Sequence, residues 1–119
     1  MKKWFPEYRQ GDIYLIDFNP TIGDEIKKIR PAIIINGNFA IGLDLKIVAP
    51  ITSWKSDFEK IWWLVKLEPT TMNGLGAESA VNCFQIKCIS IERFIKKIGS
   101  EITELENIVA TSQNCIEVM

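Results

Sequence analysis

The stretch that decides the fold is Asp12-Ile13-Tyr14-Leu15-Ile16-Asp17-Phe18, which is followed at once by Asn19-Pro20. Its β-branched and aromatic residues are typical of a β-strand. Proline cannot donate to the ladder of a sheet and pushes the residue before it out of the helical region, so we expect the strand to stop there. The segment therefore predicts a first strand with a sharp end.

Further strands are predicted at short intervals along the chain. Ala32 to Ile35 is a continuous apolar run between Pro31 and Asn36-Gly37, which suits a strand buried on both faces. The polar stretch from Pro69 to Gly76 contains Asn73-Gly74 and is predicted to turn. The remaining predicted strands run from Leu45 to Ile51 and from Ile61 to Leu67, two lie within Ser79 to Ile91, and the last surrounds Phe94, Ile95 and Ile98.

Only the tail of the chain has helical periodicity. Thr103 is a predicted N-cap with Glu106 three residues on, which is the spacing of a capping box. Several short strands with one terminal helix indicate a mainly β chain, folded as a small β-barrel with the helix packed against it. The face of the helix that we expect to be buried consists of Leu105, Ile108, Val109, Ser112 and Ile116.

The composition bounds the class of protein. A chain of 119 residues with 47% apolar and 24% charged residues is typical of one globular domain, here residues 1–119. It has no apolar stretch near the ~20 residues that cross a bilayer and no signal-peptide core, so we expect a cytoplasmic protein without membrane contact. The three cysteines show no Cys-x-x-Cys spacing and there is no histidine, so we expect neither a metal nor another cofactor.

The net charge of −1 does not by itself indicate a nucleic-acid partner. Any RNA-binding site must therefore depend on local charge. Lys27, Lys28 and Arg30 stand together, and Lys96-Lys97 form a second pair. A lysine pair is more often solvated surface than a phosphate site, so the charge pattern leaves both interpretations open.

The segments described so far, taken in order, resemble the MazF/PemK (Kid-like) toxins of type II toxin–antitoxin systems. The most specific match is Gly11-Asp12, then the loop Pro20 to Glu25 of the form Pro-x-x-Gly-x-Glu, then Arg30-Pro31 opening the second strand. The later matches are Pro50-Ile51-Thr52-Ser53, Ser79 to Ile89 with its Gln85-Ile86-Lys87, and Arg93 to Gly99.

The resemblance covers most of the chain, roughly Gly11 to Gly99, and it implies a fold and an activity. The implied fold is an SH3-like, CcdB/PemK-type β-barrel with a C-terminal α-helix, assembled as a homodimer. The implied activity is metal-independent, sequence-specific cleavage of single-stranded RNA by attack of the 2′-hydroxyl, which leaves a cyclic phosphate and a 5′-hydroxyl. The implied protein partner is a cognate antitoxin that blocks the site.

Such cleavage needs removal of the 2′-hydroxyl proton, stabilisation of charge on the non-bridging oxygens, and protonation of the leaving oxygen. Because the chain lacks histidine, a two-histidine ribonuclease is excluded. Arg30 has a planar fork that matches phosphate oxygens and keeps its charge. With the resemblance, Arg30 and Thr52 are the predicted catalytic residues, whereas the residues alone favour a surface arginine in an exposed salt bridge and a strand-end hydroxyl that bonds to nearby backbone. Glu25 is the candidate to accept the proton, or else a loop carboxylate that pairs with a neighbouring cation.

The remaining candidates concern RNA binding. Bases splayed out of a single strand stack on aromatic rings and are read along their edges. The chain departs from many family members at Ile26, where they have Gln, and at Lys87, where Arg is common, so its recognised motif is expected to differ. The predicted RNA-binding residues are the cations Lys27 and Lys28, the hydroxyl of Ser53, the rings of Trp54 and Phe39, and the amides of Asn38 and Gln85.

Two alternatives keep the fold and discard the ribonuclease. One is a CcdB-like toxin that binds DNA gyrase, which would have no need of Arg30 and Thr52 as phosphate ligands. The other is a catalytically inactive module that only binds the antitoxin. RNA cleavage with and without Arg30 separates all three.

Overall fold

The computed structural model describes residues 8–25, 28–40 and 42–117 of the chain. The mainly β prediction with a C-terminal helix is confirmed. Short 3-10 helices lie at Asn38–Ala40, Ser56–Lys60 and Ile91–Arg93. The strands are β1 (Asp12–Asp17), β2 (Ile29–Ile34), β3 (Leu45–Ser53), β4 (Leu64–Leu67), β5 (Ser79–Asn82), β6 (Lys87–Ser90) and β7 (Phe94–Ser100), and the helix is α1 (Leu105–Cys115).

The strands form one antiparallel system in the order β4-β5-β3-β2-β1-β7, with β6 also paired to β3. The long strand β3 lies at its centre. One edge of β3 pairs with β2, and the other edge pairs first with β6 along residues 45–48 and then with β5 along residues 51–53. Because β3 is shared in this way, the sheet bends around it into the barrel-like fold that the sequence predicts.

Two apolar clusters fill the fold. Alternate residues of a strand point to opposite faces, so the central strands supply side chains to both. In β2, Ala32 and Ile34 join one cluster and Ile33 joins the other, and all three are fully buried. The prediction of a strand buried on both faces is therefore confirmed. Ile108 of α1 packs into the second cluster, which closes that side of the sheet.

The start of α1 differs from the capping-box prediction, which is wrong. The N-cap is Glu104, and its side chain makes no cap hydrogen bond. The buried carboxylate of Glu101 caps the helix instead, because its Oε2 accepts a hydrogen bond from the backbone N–H of Glu104 at 3.2 Å. A carboxylate three residues upstream of the cap thus replaces the hydroxyl of Thr103.

The fourth strand is shorter than predicted. It begins at Leu64, because residues 61–63 continue the turn that follows the 3-10 helix Ser56–Lys60. The backbone N–H of Ile61 donates to Phe58 O at 3.0 Å, and that of Leu64 donates to Ile61 O at 3.2 Å. Local turn bonds therefore take the place of the ladder that the apolar run suggested.

Within the described residues, no helix has the length and apolar character needed to cross a membrane.

Candidate active site

Strand register brings Arg30 and Thr52 together. Ala32 of β2 faces Pro50 of β3, and the same register continued by two residues sets Arg30 opposite Thr52 on the same face. Arg30 Nη1 donates a hydrogen bond to Thr52 Oγ1 at 3.3 Å, and the contact is partly buried. Two residues far apart in the sequence are thus cross-strand neighbours.

Two prolines explain why this pair lies beyond the ladder. The pairing of β2 with β3 ends at Ala32 and Pro50. Pro50 has no N–H, and neither has Pro31, the next residue of β2, so neither can donate to the ladder at this point. The two strands run on without mutual ladder bonds, and the side chains of Arg30 and Thr52 border an open space.

That space is a cleft of about 510 Å³. One side is formed by the ends of β2 and β3, and the opposite side by residues 68–78 between β4 and β5 with the start of β5; we call residues 68–78 the wall loop. The cleft is lined by Lys28, Ile29, Arg30, Pro31, Ile51, Thr52, Ser53, Leu75, Gly76, Ala77 and Ser79.

The cleft is built for an anion. Of its lining residues that the structure describes, Lys28 and Arg30 are cationic and none is acidic. The guanidinium of Arg30 carries its charge at any working pH, and Thr52 offers a hydroxyl donor beside it. Lys28 is held by its backbone N–H, which donates to Asn19 Oδ1 at 3.0 Å. A phosphate placed here meets charge and hydrogen-bond donors together.

Glu25 lies elsewhere. Its carboxylate accepts a hydrogen bond from the backbone N–H of Ile22 at 2.7 Å and pairs with Lys87 Nζ at 3.1 Å. These two contacts, first the N–H of Ile22 and then Lys87, hold the pKa of Glu25 below its usual value. Lys87 stands opposite Val48, four residues before Thr52, which is about 13 Å along β3. The structure therefore places Glu25 apart from the pair of Arg30 and Thr52.

Glu25 and Gln85 line a second cleft, of about 410 Å³, together with Asp24, Phe84, Ile86 and Lys87. Gln85 Nε2 donates to Asp24 O at 3.5 Å. Val48 and Thr52 are an even number of residues apart, so Lys87 and Arg30 project from the same face of the sheet. The loop between β1 and β2 borders both clefts, with Lys28 at one and Glu25 at the other.

An exposed aromatic surface adjoins the second cleft and was not predicted. Phe84 is 62% exposed and lies 5.8 Å from the ring of Trp63, which in turn lies 5.6 Å from the ring of Trp62. The sequence signal was the tandem Trp62-Trp63, but read as a strand it suggested that one ring is core. Because these residues lie in a turn, Trp62 remains 59% exposed.

The other predicted RNA-binding residues are dispersed. Ser53 lines the first cleft. Trp54 follows it, and its ring packs edge-on against Phe58 at 5.7 Å and lies 5.1 Å below Lys66 Nζ. Lys27 lies outside the described residues.

Asn38 and Phe39 belong to the 3-10 helix after β2, at the end of the strand away from Arg30. Asn38 Oδ1 accepts from Gln10 N at 2.9 Å, whereas Phe39 is 93% exposed. Neither residue lines either cleft.

The cysteines do not form a reactive centre in the described part of the chain. Burial raises the pKa of the Cys83 thiol to about 11, so the thiol is not ionised at neutral pH. Cys88 is exposed and Cys115 is partly buried. Among residues 8–25, 28–40 and 42–117, no three Cys, Asp or Glu side chains are grouped so as to hold a metal ion.

The fold and the cleft agree with what the chain is similar to. Residues 9–111 match the family of PemK-like, MazF-like toxins of type II toxin–antitoxin systems, and the chain belongs to this family. Endoribonuclease MazF9 of Mycobacterium tuberculosis is 28% identical over 108 residues, which cover 82% of this chain and 89% of the relative.

Solved structures show the same fold. MazF of Deinococcus radiodurans superposes with a TM-score of 0.74 at 16% identity, covering 89% of this chain and 93% of that one. A mycobacterial endoribonuclease in complex with its cognate antitoxin superposes with a TM-score of 0.69 at 14% identity, covering 91% and 93%. At these identities the likeness establishes the fold, and the chemistry must be argued from the residues of the cleft.

Proposed function

We propose that this toxin is an endoribonuclease that cleaves single-stranded RNA, with Arg30 and Thr52 at its active site. The observation that carries the proposal is the pairing of the two side chains at 3.3 Å in a cleft that has two cations and no acid among its described lining residues. The match to the toxin family and the resemblance to an endoribonuclease of Mycobacterium tuberculosis support it.

The reaction needs no external nucleophile, because the 2′-hydroxyl next to the scissile phosphate attacks the phosphorus. The bond to the 5′-oxygen then breaks, which leaves a cyclic phosphate and a 5′-hydroxyl. Arg30 grips the non-bridging oxygens with its fork, and Thr52 donates a hydrogen bond as negative charge grows there. The leaving 5′-oxygen takes a proton from the guanidinium of Arg30, and the proton released by the 2′-hydroxyl passes to solvent water, from which the guanidinium recovers its own, so no proton is gained or lost overall.

Arg30 is a poor base, because a guanidinium already carries its proton and yields it only to a strong base such as the leaving alkoxide. Glu25 was the sequence candidate for that task. In the structure it is paired with Lys87 and lines the second cleft, whereas Arg30 and Thr52 line the first. We therefore assign Glu25 to fastening the β1–β2 loop through Lys87, a partner that the sequence did not suggest.

Single-stranded RNA is favoured over a duplex because the surroundings of the cleft offer faces for unpaired bases. The exposed rings of Trp62 and Phe84 and the amide of Gln85 lie around the second cleft. Such groups stack on splayed bases and bond to their edges. The action of the protein is then cytoplasmic, where its RNA substrate is found.

The same cleft is the surface that we expect a cognate antitoxin to cover. Two cations without a compensating acid attract a flexible acidic segment that folds as it binds. A homodimer accords with the exposed apolar side chains of a small domain, and light scattering at micromolar concentration tests it.

The test is cleavage of a long single-stranded RNA in excess EDTA. We expect discrete fragments that carry a cyclic phosphate and a 5′-hydroxyl, and we expect them to vanish with Arg30→Ala and with Thr52→Ala. Cleavage that requires a divalent cation, or that survives Arg30→Ala, would contradict the mechanism. Poisoning of gyrase without RNA cleavage would select the CcdB-like alternative, and neither activity would indicate an inactive antitoxin-binding module.

A further inference from the structure

One polar side chain of the wall loop is fully buried. Asn73 has no exposed surface, although its neighbours Met72 and Gly74 are exposed. A buried amide is costly unless its carbonyl oxygen and its amino group both find partners. The contacts of Asn73 therefore show what the residue holds in place.

Asn73 satisfies its whole hydrogen-bonding capacity. Its Oδ1 accepts from the backbone N–H of Thr70 at 2.9 Å and from that of Leu75 at 3.0 Å. Its Nδ2 donates to Glu68 O at 2.8 Å and to Glu101 Oε1 at 3.0 Å. The wall loop has no strand ladder, and the side chain of Asn73 supplies hydrogen bonds in its place. These bonds extend from Glu68, the first residue of the loop, to Leu75, which lines the cleft.

Glu101 joins this network to the rest of the fold. Its carboxylate is buried, with 7% of the residue exposed, and it accepts from Asn73 through Oε1 and from the N–H of Glu104 through Oε2. Its own backbone N–H donates to Gly11 O at 2.8 Å. Asn73 is therefore tied to the beginning of β1 and to the beginning of α1.

The backbone of the wall loop also lies directly on β7. A Cβ built on Gly74 would stand 2.4 Å from Ile98 O, and a Cβ built on Gly99 would stand 2.3 Å from Met72 O. Ser100 N donates to Met72 O at 2.9 Å. Only glycine permits this approach, so the loop has one docked position, and Asn73 lies at its centre.

We propose that Asn73, held by Glu101, is a positioning residue for RNA cleavage, an inference that rests on the proposed function. Asn73 accepts from the N–H of Leu75, and residues 75–77 form the wall that faces Arg30 and Thr52. The wall sets how deeply the scissile phosphate sits against Arg30. Displacement of reacting groups by about 1 Å costs on the order of a hundredfold in rate.

The expected signature is a fall in kcat with little change in KM. The rest of the RNA still binds to groups outside the wall loop, so KM changes little. In-line attack depends on the position of one phosphate, so kcat falls. Asn73→Asp keeps both acceptor bonds but loses the two donor bonds, to Glu68 O and to Glu101 Oε1, and sets a second carboxylate beside that of Glu101. In the double variant with Glu101→Gln, the amide of residue 101 donates to the carboxylate of residue 73, which restores the bond with its polarity reversed.

The experiment measures kcat, KM and melting temperature for the wild type, N73D, E101Q and the double variant, on a fluorogenic single-stranded oligonucleotide. We expect N73D to lower kcat at least tenfold with KM within threefold, and the double variant to recover at least fivefold of that loss. Ile91→Val is the matched control, because Ile91 is buried in the apolar cluster and its N–H donates to Asp44 O, eight residues before Thr52 in the chain. It should lower the melting temperature without lowering kcat.

Three results would overturn the inference. Wild-type kcat in N73D would refute it while the proposed function stood, and so would a loss of kcat that follows melting temperature equally in N73D and I91V. Absence of any cleavage by the wild type would refute the proposed function and this inference with it. If N73D does not fold, Thr70→Val takes its place, because it removes the hydroxyl that accepts from Asn73 N at 3.0 Å. This variant should lower kcat at least threefold. An unchanged kcat would refute the inference.

Discussion

In the proposed mechanism Arg30 and Thr52 act on one phosphate, so their removal should not be additive. Each supplies a donor to oxygens on which charge develops, and loss of one such donor costs about 10²–10³ in rate, or about 2.7–4 kcal/mol. We therefore expect Arg30→Ala and Thr52→Val each to lower kcat by at least a hundredfold. Because the side chains are 3.3 Å apart and share a target, the double variant should retain a rate above the product of the single losses.

The measurement is single-turnover cleavage of a fluorogenic oligonucleotide in EDTA, with coupling read from the double-mutant cycle. An interaction of at least about 0.5 kcal/mol is expected for groups in contact. Thr52→Ser retains the hydroxyl and should stay within tenfold of the wild type, whereas Arg30→Lys keeps a charge but loses the fork. Strict additivity, or a Thr52→Val enzyme as fast as the wild type, would refute the shared-phosphate reasoning. Thr103→Val is the matched control, since Thr103 is an exposed hydroxyl residue that lines neither cleft.

Four further outcomes are expected. Glu25→Gln should lower cleavage no more than about tenfold if the residue fastens the loop, whereas a general base would cost about 10²–10⁴. Because the pKa of Glu25 is lowered, its contribution is present above the usual carboxyl pKa and is lost as pH falls through the lowered value, so hydrogen exchange in residues 19–25 should rise in acid. Gly74→Ala should lower the free energy of unfolding by at least about 2 kcal/mol in urea titrations, since φ is +69° and Ile98 O stands 2.4 Å from the new Cβ. Gly42→Ala is the control: its new Cβ has nothing within 4 Å, so the free energy of unfolding should change by less than about 0.5 kcal/mol. A thiol reagent at pH 8 should modify Cys88 rapidly and Cys83 only on unfolding, and Cys88→Ser should remove the fast phase; rapid labelling of Cys83 would contradict its burial.

The sequence was sufficient for what depends on short-range pattern. The apolar alternation of β1 and the uninterrupted run in β2 predict strands, and both are present. The pairing of Arg30 with Thr52 was predicted only through the resemblance to the toxin family. Without it, two residues on separate strands give no sign of the register that makes them neighbours.

What the sequence did not predict depends on long-range placement. Glu25 was a candidate base through its place in the family motif, but in the structure it pairs with Lys87, which is distant from it in sequence. The wall of the cleft comes from residues 75–77, which have no chemistry-bearing side chain to mark them. The capping-box prediction was wrong for the same reason. The buried carboxylate of Glu101, which is not part of that motif, accepts the hydrogen bond at the start of α1.

The ladder between β2 and β3 ends at Ala32 and Pro50. Substitutions in the strands and substitutions in the surrounding loops should therefore have different consequences. In the proposed mechanism the reacting pair lies at the ends of β2 and β3, whose central residues are buried, so a substitution that moves the pair also threatens folding. The surfaces proposed to contact the bases are loops and turns whose sequence the core does not restrict. Relatives of this toxin can therefore differ in the RNA sequence they recognise while keeping the same active-site geometry. New cleavage preferences should be selected from libraries of loop variants at residues 19–25 and 61–63.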